Sequence, residues 1–205
     1  MKKKTVIITL ICALICLTAT IIIAYSGLPE VKGADKFNDI GKGKSNAAHI
    51  LLNAAENEET VIGTVMGTEI TKSYFNFKYD SYKTSPLNYE NPKEEAWNAI
   101  KREVWEKRFA KEKCIYPSEK EIDEYVYYVR KEYESTQEGT ILIKSFCEGM
   151  NMTEDEYWRF NRKYEAPLAV THGKVSEYLE KNKMSMPEAG SIESNITDLE
   201  YYNSL

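Results

Sequence analysis

Histidine is almost absent from this chain: His49 and His172 are the only two in 205 residues. That scarcity excludes a histidine-built metal centre and argues against a Ser-His-Asp triad. Cysteine is scarce too. Of the four, Cys12 and Cys16 lie in an apolar N-terminal run, each preceded by an isoleucine, a poor context for lipid attachment. Only Cys114 and Cys147 lie beyond that run, and no Cys-x-x-Cys spacing occurs, so zinc binding and thioredoxin-like redox work have no support. Concentrated basic charge is missing as well. Past residue 26 there are 24 basic residues against 32 acidic ones, a net charge of −8. An acidic exterior does not suit phosphate backbones, so no nucleic-acid partner is expected. Gly-x-Ser-x-Gly, His-Glu-x-x-His and EF-hand patterns are absent. Gly43-Lys44-Ser45 looks like the end of a phosphate loop, but Asn38 stands where the first glycine belongs and no buried strand precedes it. No catalytic residue, metal or cofactor is expected.

What the sequence does have begins at its N-terminus. Residues 5–24 carry no charge and follow Lys2, Lys3 and Lys4. Twenty helical residues span about 30 Å, the hydrocarbon thickness of a bilayer. The lysines should stay cytoplasmic, placing everything after residue 26 outside. The length of the run favours an uncleaved signal anchor over a cleaved signal peptide. Ala24-Tyr25-Ser26 before Gly27 nonetheless keeps secretion after cleavage open as the alternative. In an exported chain Cys114 and Cys147 can pair as a disulfide, which the context permits rather than requires.

Residues 27–44 hold four glycines and Pro29 with no sustained apolar period, and read as a flexible linker. Ser45 caps a short helix over 45–57. Val61, Ile62, Val65 and Met66 are strand formers before a Gly67-Thr68 turn, and Glu69-Ile70 forms the return strand of a hairpin. Thr71 caps a helix to about Tyr82. Asn91 caps, and Pro92 opens, a long helix through residue 113 with the stripe Ala96, Trp97, Ile100, Val104, Trp105 and Phe109. Ser118 to Glu121 is a capping box for a helix with the stripe Ile122, Tyr125, Val126, Val129 and Tyr133. Trp97 is expected to bury against that stripe. A helix near 139–148 ends at Gly149. Thr153 to Glu156 is a second capping box, and Pro167 should kink or break the helix it opens. The fold class is therefore mainly α. A transmembrane helix (1–26) precedes the linker (27–44), a helical domain (45–183) with one short β-hairpin, and a partly disordered tail (184–205).

The acidic groups Glu119/Glu121/Asp123/Glu124 and Glu154/Asp155/Glu156 sit in first helical turns, where the macrodipole favours them, so a structural role is expected. Fifteen tyrosines are unusual. Most fall on apolar stripes, but Tyr127, Tyr128, Tyr201 and Tyr202 fall beside them. Those four are the candidate contacts for apolar peptide segments.

Five segments, taken in order, carry a resemblance. They are Val61 to Thr71, Glu94 to Ile100, Ala110 to Ile115, Pro117 to Ile122, and Gly149-Met150-Asn151-Met152-Thr153-Glu154-Asp155-Glu156-Tyr157. Together they resemble the N-terminal chaperone domain of SurA-type periplasmic chaperones and PrsA-type extracellular foldases. The helical module also looks like the chaperone arm of trigger factor. Each segment is degenerate, and the order carries the likeness; Met66 and Cys114 depart from an Asn and a Gly common in the family. The resemblance implies a membrane-anchored, extracytoplasmic chaperone-like protein that binds unfolded or exported polypeptides without covalent chemistry. Family members usually also carry a parvulin-type prolyl isomerase domain. Here about twenty residues follow the last helix, and Ala48-His49-Ile50 is only a faint, misplaced likeness to a parvulin strand, so isomerase activity is not carried over. The alternative is an interaction protein docking one dedicated membrane or cell-envelope partner. A prolyl-isomerase-related enzyme is the third reading.

Overall fold

The computed structural model describes residues 33–53, 60–85 and 87–205. The membrane segment 5–24, the cleavage site near Ser26, Cys12 and Cys16 lie outside the described residues. Among the described residues, no helix is long and apolar enough to cross a membrane. The order is α1 (Gly33–Asn53), β1 (Val61–Val65), β2 (Thr68–Thr71), α2 (Lys72–Lys83), α3 (Pro92–Glu112), α4 (Glu119–Glu134), α5 (Gln137–Met150) and α6 (Glu154–Phe160). A π turn (Asn161–Glu165), α7 (Ala166–Lys181), a 3₁₀ turn (Ala189–Ser191), β3 (Ser194–Ile196) and α8 (Leu199–Ser204) complete it. The chain is mainly helical with one small antiparallel sheet of order β2-β1-β3.

Local chemistry sets the starts of most helices. Thr71, Asn91, Thr136 and Asp198 each accept a backbone N–H of the first turn on a side-chain oxygen. Ser118 with Glu121, and Thr153 with Glu156, form complete capping boxes. The hairpin turns through Met66 (φ 49°) and Gly67 (φ 76°), a left-handed pair whose twist matches the strands it joins. Its sheet, α2 and α3 enclose one core of Ile62, Val65, Ile70, Phe75, Trp97 and Ile100.

Several expectations are corrected. Residues 33–44 are not linker: α1 is continuous from Gly33, and Phe37, Ile40 and Gly41 are buried. Ser45 is mid-helix rather than a cap. Its hydroxyl donates to the Met150 carbonyl at 2.8 Å, and His49 Nε2 lies 3.0 Å from the same oxygen, satisfying the C-terminal end of α5. α5 does not end at Gly149 but runs through Met150 to a cap at Asn151, which takes the left-handed conformation (φ 53°). α1 runs alongside α5 in the same direction, and Gly41 and Gly149 allow the contact: a methyl on either would overlap backbone of the other helix.

The tail is corrected too. β3 pairs with β1, Ile192 is buried in the sheet core, and Tyr202 packs on Phe75 with ring centroids 5.6 Å apart. The expected hairpin is thus two strands of a three-stranded sheet. The packing of Trp97 is a further correction. It packs edge-on against Phe75 at 6.0 Å in the sheet core, not against α4. The α4 stripe instead meets α5 and α6: Val126, Val129 and Tyr133 pack on Ile143, Cys147, Tyr157 and Trp158. Pro167 neither breaks nor ends its helix. Its ring bars a normal α-helical turn, and the backbone widens into the π turn immediately before it.

Candidate functional site

α4 presents the aromatic surface. Of its residues only Ile122 is fully buried, so the helix lies against the body without being enclosed by it. Ion pairs hold it there. Arg162 of the π turn donates to Glu119 at 3.0 Å and to Asp123 at 2.5 Å, and Lys174 of α7 donates to Glu121 at 2.6 Å. The Arg162 hydrogen bond holds the Asp123 carboxyl below its ordinary range. Burial opposes ionisation of Glu121, but hydrogen bonds from Lys174 and Ser118 outweigh it and lower that carboxyl too. The acidic clusters are therefore spent on caps and ties, and among the described residues no group of acids, histidines and cysteines could hold a metal ion.

On the outer side of α4, Tyr127 is 60% exposed and Tyr128 46% exposed. Their rings meet edge to face at 5.5 Å, and Lys131 Nζ lies 5.9 Å from the Tyr127 ring. Two large apolar rings are thus held together in solvent by each other. Tyr201 and Tyr202 are placed differently. Both are half-buried; the Tyr201 hydroxyl donates to Asn76 Oδ1 at 2.6 Å, and the Lys72 ammonium sits 4.1 Å from its ring. They seal the sheet core and are not a free contact surface. Cys114 and Cys147 are both free thiols: Cys114 is exposed just past α3, and Cys147 is buried between α4, α5 and α6. The disulfide that the sequence permits between them is not formed.

A second cluster, which pattern reading did not reveal, gathers behind α4 around the π turn. Lys44 of α1 points between Phe77 and Phe146, 5.6 and 5.9 Å from their centroids, with Glu165 Oε1 3.9 Å from its ammonium. Burial lowers the Lys44 pKa, against the opposing pull of Glu165. Burial, with the Glu165 charge adding to it, raises the pKa of Tyr125, Tyr133 and Tyr157. The π turn is the only local signal of this site, and Pro167 is the residue that forces it.

No family model, curated protein or solved structure matches the chain.

Proposed function

We propose that the chain is a membrane-tethered, extracytoplasmic chaperone-like protein that binds unfolded or exported polypeptide segments without covalent chemistry. The observation that carries this reading is the Tyr127–Tyr128 pair on a helix that buries only Ile122. Exposed paired aromatics offer large apolar contact area at low entropic cost, which suits clients with no shared sequence. The resemblance of segments 61–157 to SurA- and PrsA-type chaperone domains supports the same reading. The apolar run at 5–24 supports the tether.

Light scattering from a chemically unfolded test protein, with the full chain in nanodiscs, tests it. Suppression of aggregation is expected, with most of it lost in the Tyr127→Ser/Tyr128→Ser variant. No suppression, together with capture of one stoichiometric envelope protein, would replace this reading with the dedicated-partner one. A faster proline-limited refolding phase would favour the isomerase-related reading.

A further inference from the structure

Where α1 begins fixes which end of the domain lies nearest the apolar run. α1 and α5 run side by side in one direction: a methyl on Gly33 would stand 3.5 Å from Leu142, Asn38 bonds the Ser145 carbonyl, and Ser45 and His49 reach that of Met150. Residues 137–141 of α5 come before Leu142, so they project beyond Gly33 by about 7 Å. α4 leads to the same end. It starts beside the π turn, where Arg162 holds Glu119 and Asp123. The π turn meets the second half of α1, with Glu165 3.9 Å from Lys44 and the Tyr164 hydroxyl on the Leu51 carbonyl at 2.7 Å. The 16 residues of α4 span about 24 Å, from that level to past Gly33, and only Ser135 and Thr136 separate it from α5. α4 and α5 thus form a tip, residues 131–141, standing beyond the start of α1. On it Ile141 is 48% exposed. A single exposed isoleucine needs no explanation by itself, but its place at this end gives it one.

We propose that this tip rests on the lipid headgroup layer of the bilayer that holds residues 5–24, with Ile141 inserted into it. The proposal rests on the tether reading and adds an orientation to it. Residues 25–32 join the apolar run to Gly33, and fully extended they reach about 29 Å. A domain of this size is about 40 Å across, so it cannot turn the start of α1 to its far side from the membrane. Within that reach contact between tip and bilayer is intramolecular. An effective concentration on the order of millimolar then sustains a contact that one inserted side chain would not hold on a free domain. Glu132, Glu134 and Glu138 outnumber Arg130 and Lys131 at the tip, so the headgroups it suits are zwitterionic rather than anionic. Tyr127 and Tyr128 lie within two turns of the end of α4, which sets the aromatic pair close to the surface where exported segments emerge.

The full chain in phosphatidylcholine nanodiscs, with a lipid bearing a nitroxide quencher on its headgroup, tests the proposal. One chain carries a bimane at Gln137→Cys, with Cys12, Cys16 and Cys114 replaced by Ala. A second carries it on native Cys114, which precedes α4 at the end away from the tip, with Cys12 and Cys16 replaced; Cys147 is buried in both. The label at position 137 should lose most of its emission and the label on Cys114 should keep it. Ile141→Asp should restore emission at position 137. So should a long Gly/Ser insert after Ser26, which leaves the domain unaltered and lowers the effective concentration. A chain that does not enter the nanodisc would overturn the tether reading and this proposal with it. A chain held in the disc whose label at position 137 keeps its emission, or whose two labels are quenched alike, would overturn the proposal alone. A label at position 137 that is shielded from a water-soluble quencher yet untouched by the lipid one would also overturn it, and would place a second copy of the chain on the tip.

Discussion

Gly149 of α5 and Asn38 of α1 meet backbone to backbone: a methyl group on Gly149 would overlap the Asn38 carbonyl oxygen and stand 3.0 Å from its Cα. Asn38 Nδ2 in turn donates to the Ser145 carbonyl of α5 at 3.1 Å. Helix α1 is fastened at this point to the rest of the domain.

Gly149→Ala should therefore destabilise by about 3 kcal/mol, the upper end for overpacking, because backbone cannot step aside as a side-chain tip can. That corresponds to a melting-temperature loss of roughly 6–12 °C in a chain of this size. Gly190→Ala, with nothing within 4 Å of the added methyl, should melt with the parent. Equal melting of all three would mean that α1 does not dock on α5.

His172 and Glu106 tie α7 to α3 and set a pH dependence. The hydrogen bond to Glu106 raises the His172 pKa above 6.5, against a smaller effect of burial. A group with a raised folded pKa contributes stability that is fully present below its unfolded pKa. The contribution is lost as pH rises through the folded value. Melting temperature should fall as pH rises through the range just above 6.5, and Glu106→Gln should flatten that slope. The acids with lowered pKa, Glu121, Asp123 and Glu156, act at much lower pH and leave this window clear.

Trp97→Ala should cost about 3–5 kcal/mol, the usual range for truncating a buried tryptophan. Deleting residues 192–205 should destabilise the same core, because it removes β3, Ile192 and the Tyr202 ring from Phe75. In a chain with Trp105 and Trp158 replaced by Phe, Trp97 emission should shift to the red on that deletion. Unchanged emission would place the tail away from the core.

The thiols should separate by reactivity. Burial, reinforced by Glu154 and Glu148, pushes Cys147 up to about 12, whereas Cys114 is exposed. Under native conditions iodoacetamide should label Cys114 and reach Cys147 only after denaturation, as mapped by peptide mass spectrometry. Labelling of neither before reduction would indicate a disulfide.

The exposed tyrosines should matter little to folding. Tyr127→Ser/Tyr128→Ser removes rings that contact mainly each other and should change stability by about 0.5 kcal/mol or less. A denaturant titration separates that from the loss of aggregation suppression expected under the proposed function.

Wherever the deciding atoms lie within a few residues, the sequence by itself determined the outcome. Thr71, Asn91 with Pro92, Ser118 with Glu121, and Thr153 with Glu156 start their helices because a side-chain oxygen reaches an N–H three residues on. Met66-Gly67 closes its hairpin for an equally local reason. The exposure of Tyr127 and Tyr128 followed from their position beside the α4 stripe. Only the tertiary structure decided the rest. Gly41 read as linker because its use, close approach to a helix a hundred residues later, is invisible until both helices are placed. Ser194 to Ile196 form a strand only because β1 offers its edge. Trp97 had two faces to choose from, and the sheet, completed by the tail, took it. The polar cluster of Lys44, Asn161 and Glu165 is the extreme case. One member lies on the first described helix and two on a π turn, so no spacing announces it; packing alone brings those charges within reach of each other.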